Sequence, residues 1–65
     1  MRFKIETMTC GGCARSVTRT IQKLDPGAEV EIDMEGRLVE VRTAKAPGEV
    51  AGALDAVGFP AVEAA

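Results

Sequence analysis

At 65 residues the chain has room for one domain, and a core of this size buries only about 60% of the surface that the unfolded chain exposes. Its composition, 46% hydrophobic and 28% charged with a formal net charge of -2, is that of a folded globule and excludes a disordered or low-complexity segment. The acidic balance and a mere two aromatic residues, Phe3 and Phe59, exclude the basic, ring-studded surface that single-stranded nucleic acid requires.

The first segment, MRFKIETM, alternates charge with hydrophobe and has no continuous signal-peptide core. No apolar run reaches the roughly 18 residues of a membrane span, so a cytoplasmic location is expected. From Arg2 to Glu6 the alternation puts Phe3 and Ile5 on one face of a short strand. That strand runs into Met8-Thr9-Cys10-Gly11-Gly12-Cys13, which holds both cysteines of the chain. Beyond it, Val17, Ile21 and Leu24 recur at i, i+4 and i+7, with Cys13 and Ala14 a turn earlier, and predict a helix. Asp25-Pro26-Gly27 stops it, since proline cannot continue the ladder and glycine accepts the angles of an exit turn.

In the next stretch Val30, Ile32 and Met34 alternate with Glu29, Glu31, Asp33 and Glu35, and Val39 and Val41 alternate with Leu38, Glu40 and Arg42. This predicts a hairpin with its turn at Met34-Glu35-Gly36-Arg37, Gly36 supplying any positive φ. Each strand has one apolar and one mainly charged face, so the sheet is expected to be covered on one side only. Pro47 suits the first turn of a second helix, whose Val50, Leu54 and Val57 repeat the earlier spacing; Gly52 weakens it and Gly58 suits its C-terminal cap. Phe59-Pro60-Ala61-Val62-Glu63-Ala64 leaves room for a last short strand, with Pro60 at its start or on a sheet edge. The order is β-α-β twice over. It predicts an α+β, ferredoxin-like βαββαβ sandwich, a four-stranded antiparallel sheet with both helices on one face, as one domain over residues 1–65.

Cys10 and Cys13 lie where the first helix begins, and a helix N-terminus favours negative charge. Thiols placed there ionise more readily than free cysteine, as metal binding requires, and Cys13, nearer the first helical turn, gains most. Gly11 and Gly12 keep the loop clear of side chains and conformationally permissive, so that both sulfurs can turn to one point. A disulfide closing so short a loop removes little unfolded-state entropy. Soft thiolates select soft metals, with Cu(I) the leading intracellular candidate. A structural zinc cage needs four ligands, and the chain has two cysteines and no histidine. Two ligands on an exposed loop also permit hand-over, an incoming partner thiolate adding before an original one leaves. Without histidine, and with scattered carboxylates, no nucleophile–base constellation is visible, so no catalysis is expected.

Met8-Thr9-Cys10-Gly11-Gly12-Cys13, together with the LDPGAEVEIDMEGRLVEV and ALDAVGFPA passages, resembles the heavy-metal-associated domain family over nearly the whole chain. That family comprises small cytoplasmic copper chaperones and the N-terminal metal-binding domains of copper-transporting P-type ATPases. The resemblance implies that Cys10 and Cys13 bind Cu(I), that Met8 is a buried anchor of the loop instead of a third ligand, and that a copper-transporting P-type ATPase receives the metal. Thr9 stands where zinc-exporting relatives tend to carry aspartate, which favours copper. Phe59 stands where relatives place tyrosine, phenylalanine or lysine near the metal loop, either as a core aromatic or as a shield. Thr7 replaces a common glycine. The expected state is a monomer, with a homodimer bridged by metal through four cysteines as the alternative. The competing readings are an ATPase's own N-terminal domain, a carrier of Hg(II), Cd(II) or Zn(II), and a thiol-disulfide oxidoreductase using Cys10 and Cys13. Arg15, Arg19 and Lys23, at i, i+4 and i+8, form a basic stripe beginning beside the loop, either a solvated helix face or a docking surface for an acidic partner.

Overall fold

The computed structural model describes residues 1–64. Its elements are β1 (Arg2–Lys4), α1 (Gly11–Leu24), β2 (Glu29–Asp33), β3 (Leu38–Arg42), α2 (Pro47–Ala56) and β4 (Val62–Ala64). The strands form one antiparallel sheet in the order β2-β3-β1-β4, with Phe3 opposite both Val39 and Glu63, and Val41 opposite Val30. This is the ferredoxin-like sandwich predicted from the order of elements. No helix among the described residues is long and apolar enough to cross a membrane.

Period-two alternation decides which side of the sheet is covered. Phe3, Ile5, Val39 and Val41 are fully buried, while Arg2, Lys4 and Glu40 on the opposite face keep contact with solvent. Val17 and Ile21 of α1 and Val50 and Leu54 of α2 complete the core from the helical side, and Leu24 is half-buried against it. Each such side chain contributes about 1.5–3 kcal/mol by leaving water, so this small set carries most of the favourable term for a chain of this length.

Four local readings are corrected. β1 is shorter than Arg2–Glu6: Ile5 adds one further ladder bond, its N–H donating to Arg37 O at 2.9 Å, and Glu6 and Thr7 then turn so that Met8 N–H reaches Ile5 O at 3.1 Å. The turn covers Met34–Arg37 as expected, but Met34, also counted in the apolar alternation of the preceding strand, lies outside β2 and is exposed. In that turn the positive φ falls on Arg37 (+54°), not on Gly36. A Cβ on Gly36 would stand 3.0 Å from Asp33 Oδ2, a tight contact that the exposed Asp33 side chain would have to relieve. Val57, read as the third apolar residue of α2, is 51% exposed, because the helix ends at Ala56 and Val57 leaves its phase.

The two helix exits differ in mechanism. After α2, Gly58 at φ +87° donates to Asp55 O at 3.1 Å and Phe59 donates to Leu54 O at 2.9 Å, the paired bonds of a Schellman motif. Those bonds fold Phe59 back onto the core beside Leu54. After α1, Gly27 does not use a positive φ. Asp25 ends that helix: its Oδ1 accepts from Gly27 N–H at 3.1 Å and its Oδ2 accepts from the Thr43 hydroxyl, tying the helix exit to the end of β3. The Thr43 hydroxyl, followed by the Gly27 N–H, holds the Asp25 carboxyl below its ordinary value of 3.8.

A carboxylate with a depressed folded pKa contributes stability that is complete above its unfolded value and is lost as pH falls through the folded one. Thr43→Val should therefore lower the thermal midpoint at neutral pH, and the midpoints of parent and variant should converge below pH 3.8. Thermal melts across an acid pH series check this.

Candidate metal centre

The core reaches the site through Met8. Its side chain is fully buried, as expected of an anchor, so the chain emerges from the interior one residue before Thr9 and two before Cys10. Cys10 has extended backbone (φ -147°, ψ 167°) and is the N-cap of α1. Its Sγ accepts the backbone N–H of Cys13 at 3.3 Å, and its carbonyl accepts from Ala14 N–H at 3.1 Å. Serine, threonine or aspartate usually makes that side-chain bond with oxygen; here the same sulfur is also a candidate ligand.

Gly11, Gly12 and Cys13 form the first turn of the helix. Neither glycine has a positive φ, so the expected conformational freedom is not what they supply. A Cβ on Gly11 would meet nothing within 4 Å, and one on Gly12 would come within 3.8 Å of Cys10 Sγ, an ordinary contact. Of the two, only Gly12 lies against a sulfur, and its lack of a side chain leaves that side of Cys10 Sγ uncovered. Both cysteines are free thiols, Cys10 exposed and Cys13 half-buried against the core, and their Sγ atoms lie 3.0 Å apart in hydrogen-bonding contact.

Cys13 is held below the ordinary thiol range, first by the hydrogen bond from the Cys10 side chain and then by the Thr9 backbone; burial opposes them, and the Cys10 backbone and Thr9 hydroxyl add lesser help. The direction agrees with the expectation that Cys13 gains most. The cause is more specific than a helix dipole, and Thr9 enters it directly. Among the described residues no group of three or more cysteine, histidine, aspartate or glutamate side chains comes together. The carboxylates of Asp25, Asp33 and Asp55 remain apart from the sulfurs, as their positions in the sequence suggested.

Phe59 packs half-buried against the core. Arg15, Arg19 and Lys23 are exposed and enter no ion pair among the described residues, and α1 itself contains no carboxylate. The contacts of Arg37 with the start of the loop were not foreseeable. Its guanidinium donates to Glu6 O at 3.3 Å and lies 3.5 Å from Glu6 Oε2. No local pattern marks residues so distant in sequence as neighbours.

A two-thiol centre on a strand-to-helix loop of a ferredoxin-like sandwich defines a class of small metal-binding domain. The chain belongs to the heavy-metal-associated domain family, which matches residues 2–60. The copper transport protein ATOX1 homolog of Dictyostelium discoideum is 37% identical over 38 residues, 58% of this chain and 57% of that protein, so the alignment spans little more than half of the relative. The crystal structure of a gold binding protein superposes with a TM-score of 0.92 at 48% identity, covering 94% of each chain. The copper chaperone Atx1 from Synechocystis PCC6803 shares the fold, with a TM-score of 0.93 at 24% identity over 95% of this chain and 98% of that one.

Cys10→Ala removes the main hydrogen bond to the Cys13 sulfur. The pH profile of Cys13 alkylation by iodoacetamide should move to higher pH than in the parent, a shift that mass spectrometry of the labelled peptide resolves.

Proposed function

We propose that the chain is a Cu(I) carrier that holds cuprous ion on Cys10 and Cys13 and passes it, in the cytoplasm, to a copper-transporting P-type ATPase. The observation that carries this reading is the pair of free sulfurs 3.0 Å apart at an uncovered helix N-terminus, with no third ligand-type side chain grouped with them among the described residues. Such a donor set suits a soft, low-coordinate cation and lacks the four ligands of a structural zinc site. Family membership and the copper transport relative support the same reading.

Hand-over follows from the ligand count. A metal about 2.3 Å from each sulfur, as zinc is from thiolate, would see sulfurs 3.0 Å apart at an angle of about 80°. Binding at a wider angle requires one sulfur to swing outward, and exposed Cys10 has the room. The open side then admits a thiolate from the receiving domain. Three-ligand exchange moves the ion without freeing it: each bond from the ion to Cys10 or Cys13 is replaced by one to a partner thiolate, and the oxidation state of the metal does not change. The chain acts as a carrier, either a separate chaperone or a metal-binding domain of the ATPase itself.

One observation favours a second cargo. The 48% identical relative is a gold binding protein, and Au(I) is also a soft cation suited to two thiolates. Competition decides between them. With a chromogenic chelator under anaerobic conditions, the parent should take up one Cu(I), and Cys10→Ser/Cys13→Ser should take up none. Retention of Cu(I) by the double variant would overturn the site, and preferential retention of Au(I) over Cu(I) at equal activity would replace the cargo.

The unpaired stripe of Arg15, Arg19 and Lys23 starts one turn from the sulfurs, so it can orient an acidic receiving domain with its cysteines toward this loop. Arg15→Glu/Arg19→Glu should slow transfer to an acidic ATPase metal-binding domain by about tenfold at low ionic strength, with the defect fading at 0.5 M salt, where screening is nearly complete. Stopped-flow transfer kinetics at two salt concentrations measure it; an unchanged low-salt rate would leave the stripe as a solvated face.

A further inference from the structure

We propose that Arg37 is a positioning residue for the cysteine loop: from the hairpin turn between β2 and β3 it grips the junction at which β1 gives way to that loop. Its backbone carbonyl accepts the Ile5 N–H at 2.9 Å, and its guanidinium donates to the carbonyl of the next residue, Glu6, at 3.3 Å. The turn that follows closes through Met8 N–H on Ile5 O at 3.1 Å. The first two residues of that turn are thus held by one arginine, and the turn delivers Met8 to the core and Cys10 to its capping position.

The backbone of Arg37 singles it out. It is the one non-glycine residue with a positive φ among the described residues, at +54°. Glycine takes that conformation without strain, and a glycine stands immediately before it. An arginine held in the left-handed region points to a side chain whose placement matters, an inference that runs from the outlier to the role. The ion pair with Glu6, 3.5 Å long between exposed groups and flanked by Lys4 at 3.9 Å, contributes little by itself. The guanidinium–carbonyl bond fixes main chain, which is what a loop presenting two sulfurs needs.

Arg37 touches neither cysteine, so its effect passes through Glu6, Thr7 and Met8. Without it the loop should open locally more often while the sheet and helices stay closed. The test uses Arg37→Asn, since asparagine tolerates the left-handed region and keeps the turn while removing the guanidinium. In the metal-free protein, amide exchange at Ile5 and Met8, the two hydrogen-bonded amides of this junction, normalised to the slowest core amides of β3, should rise at least about threefold. Alkylation of Cys10 and Cys13 should quicken alongside it. Arg37→Lys, which retains a donor for Glu6 O, should lie between the two. Exchange that rises equally in loop and core, or does not rise at all, overturns the proposal. If Arg37→Asn folds poorly, Arg37→Gly supplies the same φ without a side chain, and the same normalised comparison decides.

The consequence for cargo rests on the carrier reading: Cu(I) should leave Arg37→Asn for a chelator at least about threefold faster than it leaves the parent, the opening of the loop limiting release. The two ideas fail separately. A protein that takes up no Cu(I) defeats the carrier reading alone, whereas unchanged metal-free exchange defeats the clamp alone.

Discussion

The hydrogen bond from Cys13 N–H to Cys10 Sγ joins the fold to its chemistry. A helix begins with four backbone N–H groups that have no partner within it, and a side-chain acceptor at the N-cap satisfies one of them. Here that acceptor is sulfur. The atom that closes α1 is therefore the atom a soft metal would draw away. The deeper turns of α1 are pinned independently of this bond, by Val17 and Ile21 in the core.

An exposed pair of thiols needs a base that does not move. Two fully buried residues, Ile5 and Met8, bracket the turn leading to Cys10, and the Schellman exit of α2 brings Phe59 back onto the same core. Burial of a long, unbranched side chain such as Met8 fills an irregular gap without demanding a polar partner. Among the described residues no polar side chain is buried without a hydrogen-bond partner, so the core exerts no competing pull on the sulfurs.

Charge is segregated rather than balanced. α1 carries Arg15, Arg19 and Lys23 with no carboxylate, while Glu29, Glu31 and Asp33 line one face of β2. Glu31 stands directly opposite Glu40 across the hairpin, a like-charge pair that costs stability, and Arg2 approaches Glu40 to 3.4 Å from the neighbouring strand. A net charge of -2 hides this division. Encounter with a partner depends on the local field of the face presented, so the helix bearing the cysteines behaves as a basic surface on an acidic protein.

Alternation and helical spacing made the elements and their order legible, because each strand and helix must bury one face and that requirement is written in neighbouring residues. The cysteine pair was legible for the same reason: both candidate ligands lie within one local segment. The errors fell where the chain changes direction. Val57 kept the spacing of α2 but not its phase, since the Schellman turn ends the helix first; Gly36 was read for its freedom, but the positive φ of that turn falls on Arg37. By itself the sequence determined the sandwich, the buried faces and the two sulfurs. Only the tertiary structure decided that Thr43 holds Asp25 and that Arg37 reaches Glu6, because such bonds join groups whose separation depends on how the finished sheet and helices bring distant segments together.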